Sequence, residues 1–502
     1  MLFPATMRHS GDRNPVGESQ NQPFPLHWTR QTTCYLVVAL ACFRLCHIHL
    51  LWPDEDYHLA AAIHILNGKV PYRDFWYDKP PLGAIFYLLI GGYSGVSLRL
   101  LDAGYILLAC YLAYRLARAW WSEAEGRIAA LLLAFFTTFY LPTAVIPFAA
   151  DALMIVPHLA AIYCARRKLP LWAGLYAGIG FLVNTKALFV LATCAIWLVT
   201  ELALLLFGFA LPVLAGVLGV LLSKAWAGYY EQVWQWGLMY SNELVMHPFR
   251  TGFVRTSGWI GFHAALAIGA MFGFMRSTRD DRWKLAIWLA LSFAAVCLGT
   301  RFGPHYFLQL LPPLVIAGSR GIVLALKAYR RPATALLAIF LIVPVIRFGP
   351  RYVSLALDNL WHRDPHWSNL AVDLDVDSQN AAAKIRVLAR PGDTLFVWGY
   401  RPDLYVYTRM SSDSRYWDSQ SLTGVSADRH YSETNAMYGW PAAAHREKLA
   451  HSSPTFIVDG LGRLNPKLKL SVYPELRSWL ADYRLVDETK SCWIYRRIEE
   501  PH

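Results

Sequence analysis

Charged residues are scarce in this 502-residue chain. Asp, Glu, Lys and Arg make up only 16% of it, whereas soluble domains carry about 25%. Hydrophobic residues make up 55%, which excludes an ordinary soluble domain and places the chain in the membrane class. The net charge of +12 then fits cytoplasmic loops rich in Lys and Arg better than a nucleic-acid interface, so no nucleic-acid partner is expected.

The chain also lacks several kinds of motif. None of its eight cysteines forms a C-x-x-C pair, so small buried thiols are a better interpretation than a disulfide framework or a zinc site. Glycine-rich nucleotide-binding motifs are missing as well. Residues 1–30 have no apolar core, so we expect a disordered cytoplasmic tail there and not a cleaved signal peptide.

Long apolar runs fill residues 31–349. A spanning helix needs roughly 20 mainly apolar residues, and the pattern predicts about eleven crossings. The predicted crossings are residues 31–51, 98–117, 127–146, 149–165, 170–185, 187–205, 207–223, 257–275, 283–300, 305–326 and 333–348. Residues 82–93 are too short to span and predict a surface or re-entrant helix. Residues 225–256 predict a polar, aromatic loop.

Clusters of Arg and Lys set the expected orientation. They lie at Arg115–Arg127, Arg166–Lys168, Arg276–Lys284 and Lys327–Arg331. About eleven crossings put all of these clusters on the side of the N-terminus, which the positive-inside rule makes the cytoplasm. We therefore expect a multi-pass protein of the bacterial inner membrane, with residues 52–82 and the C-terminal region outside the cytoplasm.

The composition changes after Pro350, where the chain becomes polar. Strand-like runs occur at Thr394–Trp398, Leu404–Tyr407, Thr455–Val458 and Cys492–Tyr495, and helical patterns at Ser378–Ala389 and Val472–Tyr483. Strands that alternate with helices predict a small α/β domain over residues 350–502, which would lie outside the cytoplasm.

The stretch Trp52–Leu82 is unusually polar for its position between apolar segments. It begins with the carboxylates Asp54, Glu55 and Asp56. Partial burial beside a bilayer raises a carboxyl pKa toward working pH, so one of them is a candidate general base or metal ligand. A solvated loop is the alternative interpretation. A second feature, Asp78-Lys79 before two prolines, supplies a cation suited to phosphate or, alternatively, an interfacial anchor.

Other candidate residues lie at predicted helix ends on the same external side. Asp151 starts a crossing, where either a helix-dipole contact or a functional charge explains it. Lys186 interrupts an apolar run, so snorkelling and anion binding are both open. Arg301 and His305 precede a late crossing, and His305 is either a structural histidine or a ligand.

Together these features resemble a known family. The acidic pair after the first helix, the Lys79-Pro80-Pro81-Leu82 turn, Asp151 and the late HYFLQLLPP segment are similar to the GT-C superfamily of integral-membrane glycosyltransferases. Within that superfamily it resembles bacterial members akin to protein O-mannosyltransferases, the lipid A aminoarabinose transferase and rhizobial core transferases. The resemblance covers roughly residues 30–350 and is most specific in residues 52–82.

The resemblance implies transfer of a hexosyl or pentosyl group from a polyprenyl-phosphate donor to an extracytoplasmic glycolipid, polysaccharide or protein, with inversion. It implies catalytic roles for Asp54 and Asp151, with Glu55 as a further acid, and donor-phosphate binding by Lys79, with Arg301 and Lys186 as candidates. Asp78 stands where relatives can carry a glutamate linked to a divalent metal, and His305 is a candidate second ligand. The alternatives are a transporter or flippase for a lipid-linked saccharide and a non-catalytic envelope-assembly protein.

Overall fold

The structure, a computed structural model, describes residues 30–243 and 247–498. The predicted N-terminal tail over residues 1–30 lies outside the described residues, apart from the backbone of Arg30.

Helices make up most of the first half of the described chain. They are α1 (Arg30–Leu45), α2 (Glu55–Leu66), α3 (Leu82–Phe86), α4 (Val96–Trp120), α5 (Glu123–Phe136), α6 (Pro142–Val145), α7 (Ala150–Leu153), α8 (Ile155–Arg166), α9 (Pro170–Val183), α10 (Ala187–Trp197), α11 (Leu202–Leu222), α12 (Trp226–Tyr229) and α13 (Trp236–Asn242). Short 3-10 helices at Tyr87–Ile90 and Val199–Glu201 and a π-helix at Tyr230–Gln235 connect some of them.

The second half combines helices with a small sheet. Its helices are α14 (Pro248–Phe262), α15 (Ala264–Met275), α16 (Arg279–Cys297), α17 (Leu311–Ala328), α18 (Arg330–Phe348), α19 (Pro350–Leu360), α20 (Leu370–Leu388), α21 (Asp403–Thr408), α22 (Gln420–Thr423), α23 (Ala442–Leu449) and α24 (Pro474–Ala481). Its strands are β1 (Leu395–Trp398), β2 (Phe456–Asp459), β3 (Tyr483–Glu488) and β4 (Trp493–Arg497). Further 3-10 helices lie at Pro304–Gln309, Pro466–Leu468 and Leu470–Val472.

Several helices are long and apolar enough to cross a membrane. By length and composition these are Val96–Trp120, Val199–Leu222, Leu311–Ala328 and Arg330–Phe348, and α14 with α15 makes a fifth if that bent pair is one span. The apolar helices Gln31–Leu45, Pro170–Val183 and Ala187–Trp197 are shorter. The expected number of about eleven crossings is not confirmed and stays a prediction.

One prediction around residues 225–275 is wrong, and a second stays a prediction. Residues 225–256 are mostly helical and not a loop, because Trp236 of α13 packs edge-on against Trp76, 6.0 Å between ring centroids, and fixes this segment against the polar stretch. The predicted crossing over residues 257–275 is two helices, α14 and α15, bent by 86°. At the bend the ring of His263 hydrogen-bonds the carbonyl of Trp259 at 2.8 Å and stacks on its indole.

The C-terminal sheet has the strand order β1-β2-β4-β3. β1 and β2 are parallel, whereas β4 pairs antiparallel with both β2 and β3. The predicted strand Leu404–Tyr407 is instead helix α21, because a short run that is buried on all sides has no period to separate strand from helix. β3 was not predicted, since its burial is irregular and five of its six residues are at least partly exposed.

The polar stretch Trp52–Leu82 is held inside the protein. Its residues Glu55–Leu66 form α2, and most of that helix is buried. Trp417 of the C-terminal region covers it, donating its indole N–H to the Trp76 carbonyl and lying 4.9 Å from the Tyr57 ring. Residues 82–93 contain only α3 and a single 3-10 turn, which agrees with the prediction that this segment is too short to span.

Candidate active site

Asp54 immediately precedes α2 and has an unusual backbone conformation. Its φ of 82° and ψ of −44° lie in a region that side chains other than glycine rarely adopt. Such conformations cost about 1–3 kcal/mol and concentrate at functional sites. The carboxylate is partly exposed and forms no hydrogen bond or ion pair with any of the described residues. It is therefore held at the start of a buried helix and free to meet a ligand.

Glu55, which is predicted as a further catalytic acid, is held in an internal ion pair. It is fully buried and forms a bidentate ion pair with Arg99 of α4, at 2.6 and 2.9 Å. Its oxygens also accept the backbone N–H groups of Trp52 and Phe148, each at 2.9 Å. All of its acceptor capacity is used inside the protein, so Glu55 anchors the polar stretch to the helical bundle.

Asp56 points toward the C-terminal region. Its carboxylate accepts the backbone N–H of Tyr57 at 2.7 Å. Burial raises the pKa of Asp56 well above the ordinary value, and the nearby carboxyls of Asp403 and Asp54 raise it further. Of the three consecutive acids, only Asp54 is thus left partly exposed and without a partner.

Lys79 lies at the other end of the polar stretch. Its ammonium is 3.3 Å from Asp78, and its side chain is 39% exposed. Burial alone would lower the pKa of Lys79, but the negative charges of Asp78 and Asp54 outweigh that effect and raise the pKa above its ordinary value. Lys79 is therefore a permanent cation that remains accessible to an anionic group.

Asp151 at the start of α7 organises a second set of polar groups. Its Oδ1 accepts the Lys186 ammonium at 3.2 Å, the Asn184 amide at 3.2 Å and the Gln309 amide at 3.0 Å. The His305 ring nitrogen lies 3.9 Å from the other oxygen. With Asp151 in place, Lys186 is held almost buried in a fixed position.

The two sets of groups belong to one site. The charge of Asp54 acts on Lys79, on Lys186 and on the hydroxyl of Tyr306. The Lys186 ammonium also lies over the ring of Tyr306, 3.4 Å from its centroid. The structure thus brings together Asp54, Lys79, Asp151 and Lys186, which are spread over more than a hundred residues of sequence.

Arg301 lies beside this site and is already neutralised. Its guanidinium pairs with Glu243 at 3.1 Å and with Asp428, and it lies over the Tyr240 ring at 3.8 Å from the centroid. As a donor-phosphate candidate it therefore offers less free positive charge than Lys79 does.

The two predicted metal ligands, Asp78 and His305, are not part of any group of three metal-binding side chains among the described residues. Asp78 pairs with Lys79, and His305 lies next to Asp151. Across residues 30–243 and 247–498 there is no group of three or more His, Cys, Asp or Glu side chains that could hold a metal ion. The donor set of this part of the chain does not fit a divalent metal, so we derive no step from one.

Sequence reasoning missed Tyr306 and Asp418. The Lys186 ammonium lies over the Tyr306 ring and the charge of Asp151 acts on its hydroxyl, yet in the sequence Tyr306 is one aromatic residue of an apolar helix. Asp418 is buried and near Asp78, and one oxygen of each carboxyl is buried without a hydrogen-bond partner. Burial raises the pKa of Asp418 to about 7, and the charge of Asp78 adds to that shift. No local sequence signal identifies Asp418, because its neighbours come from the polar stretch more than 300 residues earlier.

Neither a protein-family model nor a curated protein sequence matches this chain significantly. Among solved structures, ArnT from Cupriavidus metallidurans bound to undecaprenyl phosphate has a TM-score of 0.58 at 13% identity, covering 93% of this chain and 98% of ArnT. The apo structure of the same ArnT also gives 0.58, at 14% identity and the same coverage. The Archaeoglobus fulgidus oligosaccharyltransferase in complex with zinc and sulfate has a lower TM-score of 0.46, at 14% identity over 92% of this chain and 73% of that one.

The comparison with ArnT decides the fold. ArnT and this chain share one architecture over nearly their whole lengths, although few of their residues are identical. The fold of this chain is therefore the one seen in ArnT, and the chain is a multi-pass membrane protein with a small C-terminal sheet.

Proposed function

We propose that this protein, which shares its fold with ArnT, is a glycosyltransferase of the GT-C superfamily that moves a sugar from a polyprenyl-phosphate donor to an acceptor outside the cytoplasm. The observation that carries the proposal is the unpartnered carboxylate of Asp54 within electrostatic range of two lysines, Lys79 and Lys186. An acid and two cations around one space are what displacement at a sugar phosphate requires: a base for the attacking hydroxyl and positive charge for the leaving phosphate.

In the proposed step, an acceptor hydroxyl attacks the anomeric carbon of the sugar. The new bond joins the acceptor oxygen to that carbon while the bond from carbon to phosphate oxygen breaks. Asp54 takes the hydroxyl proton, since it is the acid of this site whose oxygens are free. The polyprenyl phosphate leaves with the bonding electron pair. A single displacement of this kind inverts the configuration at the anomeric carbon.

The lysines stabilise the leaving phosphate in this proposal. Lys79 is accessible and cationic, and Lys186 is held in a fixed position by Asp151. Fixed positive charges cost little reorganisation when negative charge develops on the leaving oxygen. Arg301 contributes at longer range, because Glu243 and Asp428 already neutralise most of its charge.

The ArnT comparison supports the choice of donor. That structure holds undecaprenyl phosphate, and we infer that a polyprenyl phosphate of this kind is the carrier here as well. We further propose about eleven crossings in the bacterial inner membrane, with the N-terminus cytoplasmic and residues 350–502 outside, as the basic loops indicate. The acceptor is a glycolipid, a polysaccharide or a protein.

Mass spectrometry of envelope glycolipids, glycans and proteins tests this proposal. Cells that lack the protein should lose one sugar from one envelope component, and the wild-type gene should restore it. Asp54→Asn should not restore it. Asp74→Asn is a matched control, because Asp74 lies in the same polar stretch but is paired with Arg73 at 2.8 Å. Normal envelope sugars in the Asp54→Asn cells would contradict the proposed reaction.

A further inference from the structure

A basic cavity lies at the end of α2 that is farther from Asp54. It has a volume of about 380 Å³. Three arginines line it together with one acid and with amide and hydroxyl side chains: Arg386, Arg390, Arg409, Asp393, Asn67, Thr394, Thr408 and Ser411. Asp393 already accepts the backbone N–H of Arg390 at 2.7 Å. The cavity therefore carries more positive than negative charge.

Arg409 fixes the cavity at one end of the membrane bundle. Its guanidinium donates to the carbonyls of Gly91 and Gly92, both at 2.9 Å, and lies 4.3 Å from the centroid of the Tyr93 ring. These residues directly precede α4, which is long and apolar enough to cross a membrane. The cavity thus lies close to the start of α4, a helix that is long enough to cross a membrane.

Exposed apolar side chains lie next to residues of the cavity, in sequence or by contact. Leu66 precedes the lining residue Asn67 and is 50% exposed, Tyr93 is 59% exposed, and Val387 follows the lining residue Arg386 and is 85% exposed. Arginines next to exposed aliphatic and aromatic side chains are typical of a protein surface that meets lipid headgroups. If only water surrounded these exposed apolar side chains, they would have no apolar group to contact.

The cavity is separate from the candidate active site. α2 has 12 residues, so at 1.5 Å per residue its two ends are about 18 Å apart. Arg386 is exposed and forms no ion pair within residues 30–243 and 247–498, so its charge is available to a ligand. None of the cavity residues takes part in the proposed reaction.

We propose that this cavity binds the phosphate headgroup of a membrane lipid. Arg386, Arg390 and Arg409 contact the phosphate, which arginine recognises through several N–H donors at once. The apolar side chains of Leu66, Tyr93 and Val387 lie against the acyl chains. The proposal stands on this cavity alone and does not depend on the sugar-transfer reaction.

Native mass spectrometry of the purified full-length protein tests the site. The protein in detergent is titrated with dioleoyl-phosphatidic acid and, separately, with dioleoylglycerol, which has the same acyl chains and no phosphate. Phosphatidic acid should bind and dioleoylglycerol should not. Arg386→Gln with Arg390→Gln should weaken phosphatidic acid binding by about tenfold, the loss expected when charge-assisted contacts are removed. Arg477→Gln is the control, because Arg477 is exposed on α24 and does not line the cavity.

Several outcomes would overturn the proposal. Equal binding of the two lipids would show that acyl chains alone are recognised. Unchanged phosphatidic acid binding in the double variant would place the phosphate elsewhere, and the single Arg386→Gln variant gives the same test if the double variant does not fold. Binding of inorganic phosphate by the wild-type protein without any binding of phosphatidic acid would make the site one for a free anion and not for a lipid.

Discussion

Replacing Glu55 by Gln should destabilise the protein strongly without touching the reacting groups. Glu55 accepts two hydrogen bonds from Arg99 and two from backbone N–H groups. Glutamine has nearly the same shape, but its amide nitrogen would face a donor at one of these positions. Arg99 would also lose the carboxylate that compensates its charge, and its remaining partners, the carbonyls of His47, Leu50 and Ile146, carry no full charge.

The size of the effect follows from the burial of this pair. Both side chains are at most 1% exposed, so solvent screens the lost interaction very little. Breaking a buried ion pair by removing one partner costs about 3–5 kcal/mol. We therefore expect Glu55→Gln to lower the free energy of unfolding by about that amount. The polar stretch should be the part that loosens, since Glu55 connects it to α4.

Thermal unfolding of the purified protein in detergent measures this effect. Glu55→Gln should lower the midpoint by several degrees, whereas Asp54→Asn should leave it unchanged or raise it, because Asp54 has no partner to lose and a strained backbone that asparagine also tolerates. A Glu55→Gln protein with the wild-type midpoint would refute the assignment of Glu55 as an anchor and return it to the catalytic candidates.

Three further changes test other parts of the structure. Burial raises the pKa of Asp418 to about 7, so the folded protein holds the proton of this carboxyl more tightly than the unfolded chain does. The stability that this proton contributes is complete below about pH 4 and is lost as pH rises through about 7. Asp418→Asn should therefore flatten that part of the pH profile of the thermal midpoint. Gly321→Ala should lower the midpoint, because its Cβ would lie 1.7 Å from the Gly269 carbonyl oxygen, whereas Gly104→Ala, with no atom within 4 Å, is the control. Lys79→Gln should weaken polyprenyl-phosphate binding about tenfold in a lipid-binding assay, and Lys69→Gln in the same stretch should not.

Much of the site was predictable because its residues are charged and stand next to long apolar segments of the sequence. Asp54, Lys79, Asp151 and Lys186 are charges at the ends of apolar runs, where burial makes an unneeded charge costly. Their common position followed from the expected topology, which puts those helix ends on one side of the membrane. The structure places them together.

The choice among Asp54, Glu55 and Asp56 could not come from sequence. Three adjacent acids have the same chemistry, and the start of α2 decides which way each one points. Glu55 faces Arg99, and that partner is 44 residues away on another helix. Arg44 is a similar case: it lies in the predicted first crossing, and its buried side chain pairs at 3.0 Å with Asp102, which is 58 residues later on α4.

The C-terminal region was predicted only in outline. Its β1, β2 and β4 strands have the expected apolar runs, but α21 depends on its packing inside the protein. The helical segment at 226–242, which lies outside this region, likewise depends on packing against the polar stretch. Asp418 and Tyr306 enter the site through these long-range contacts. Such contacts leave no periodic pattern in a single sequence, so neither residue could be singled out beforehand.

The most direct test of the proposed reaction follows polyprenyl phosphate and sugar together. Purified protein is mixed with a lipid extract from cells that lack it, and the release of free polyprenyl phosphate is measured against the gain of one sugar by the acceptor. The wild-type protein and Asp74→Asn should give equal amounts of both products. Asp54→Asn should give neither while still binding polyprenyl phosphate. Release of both products by Asp54→Asn at the wild-type rate would contradict the assignment of Asp54 as the base.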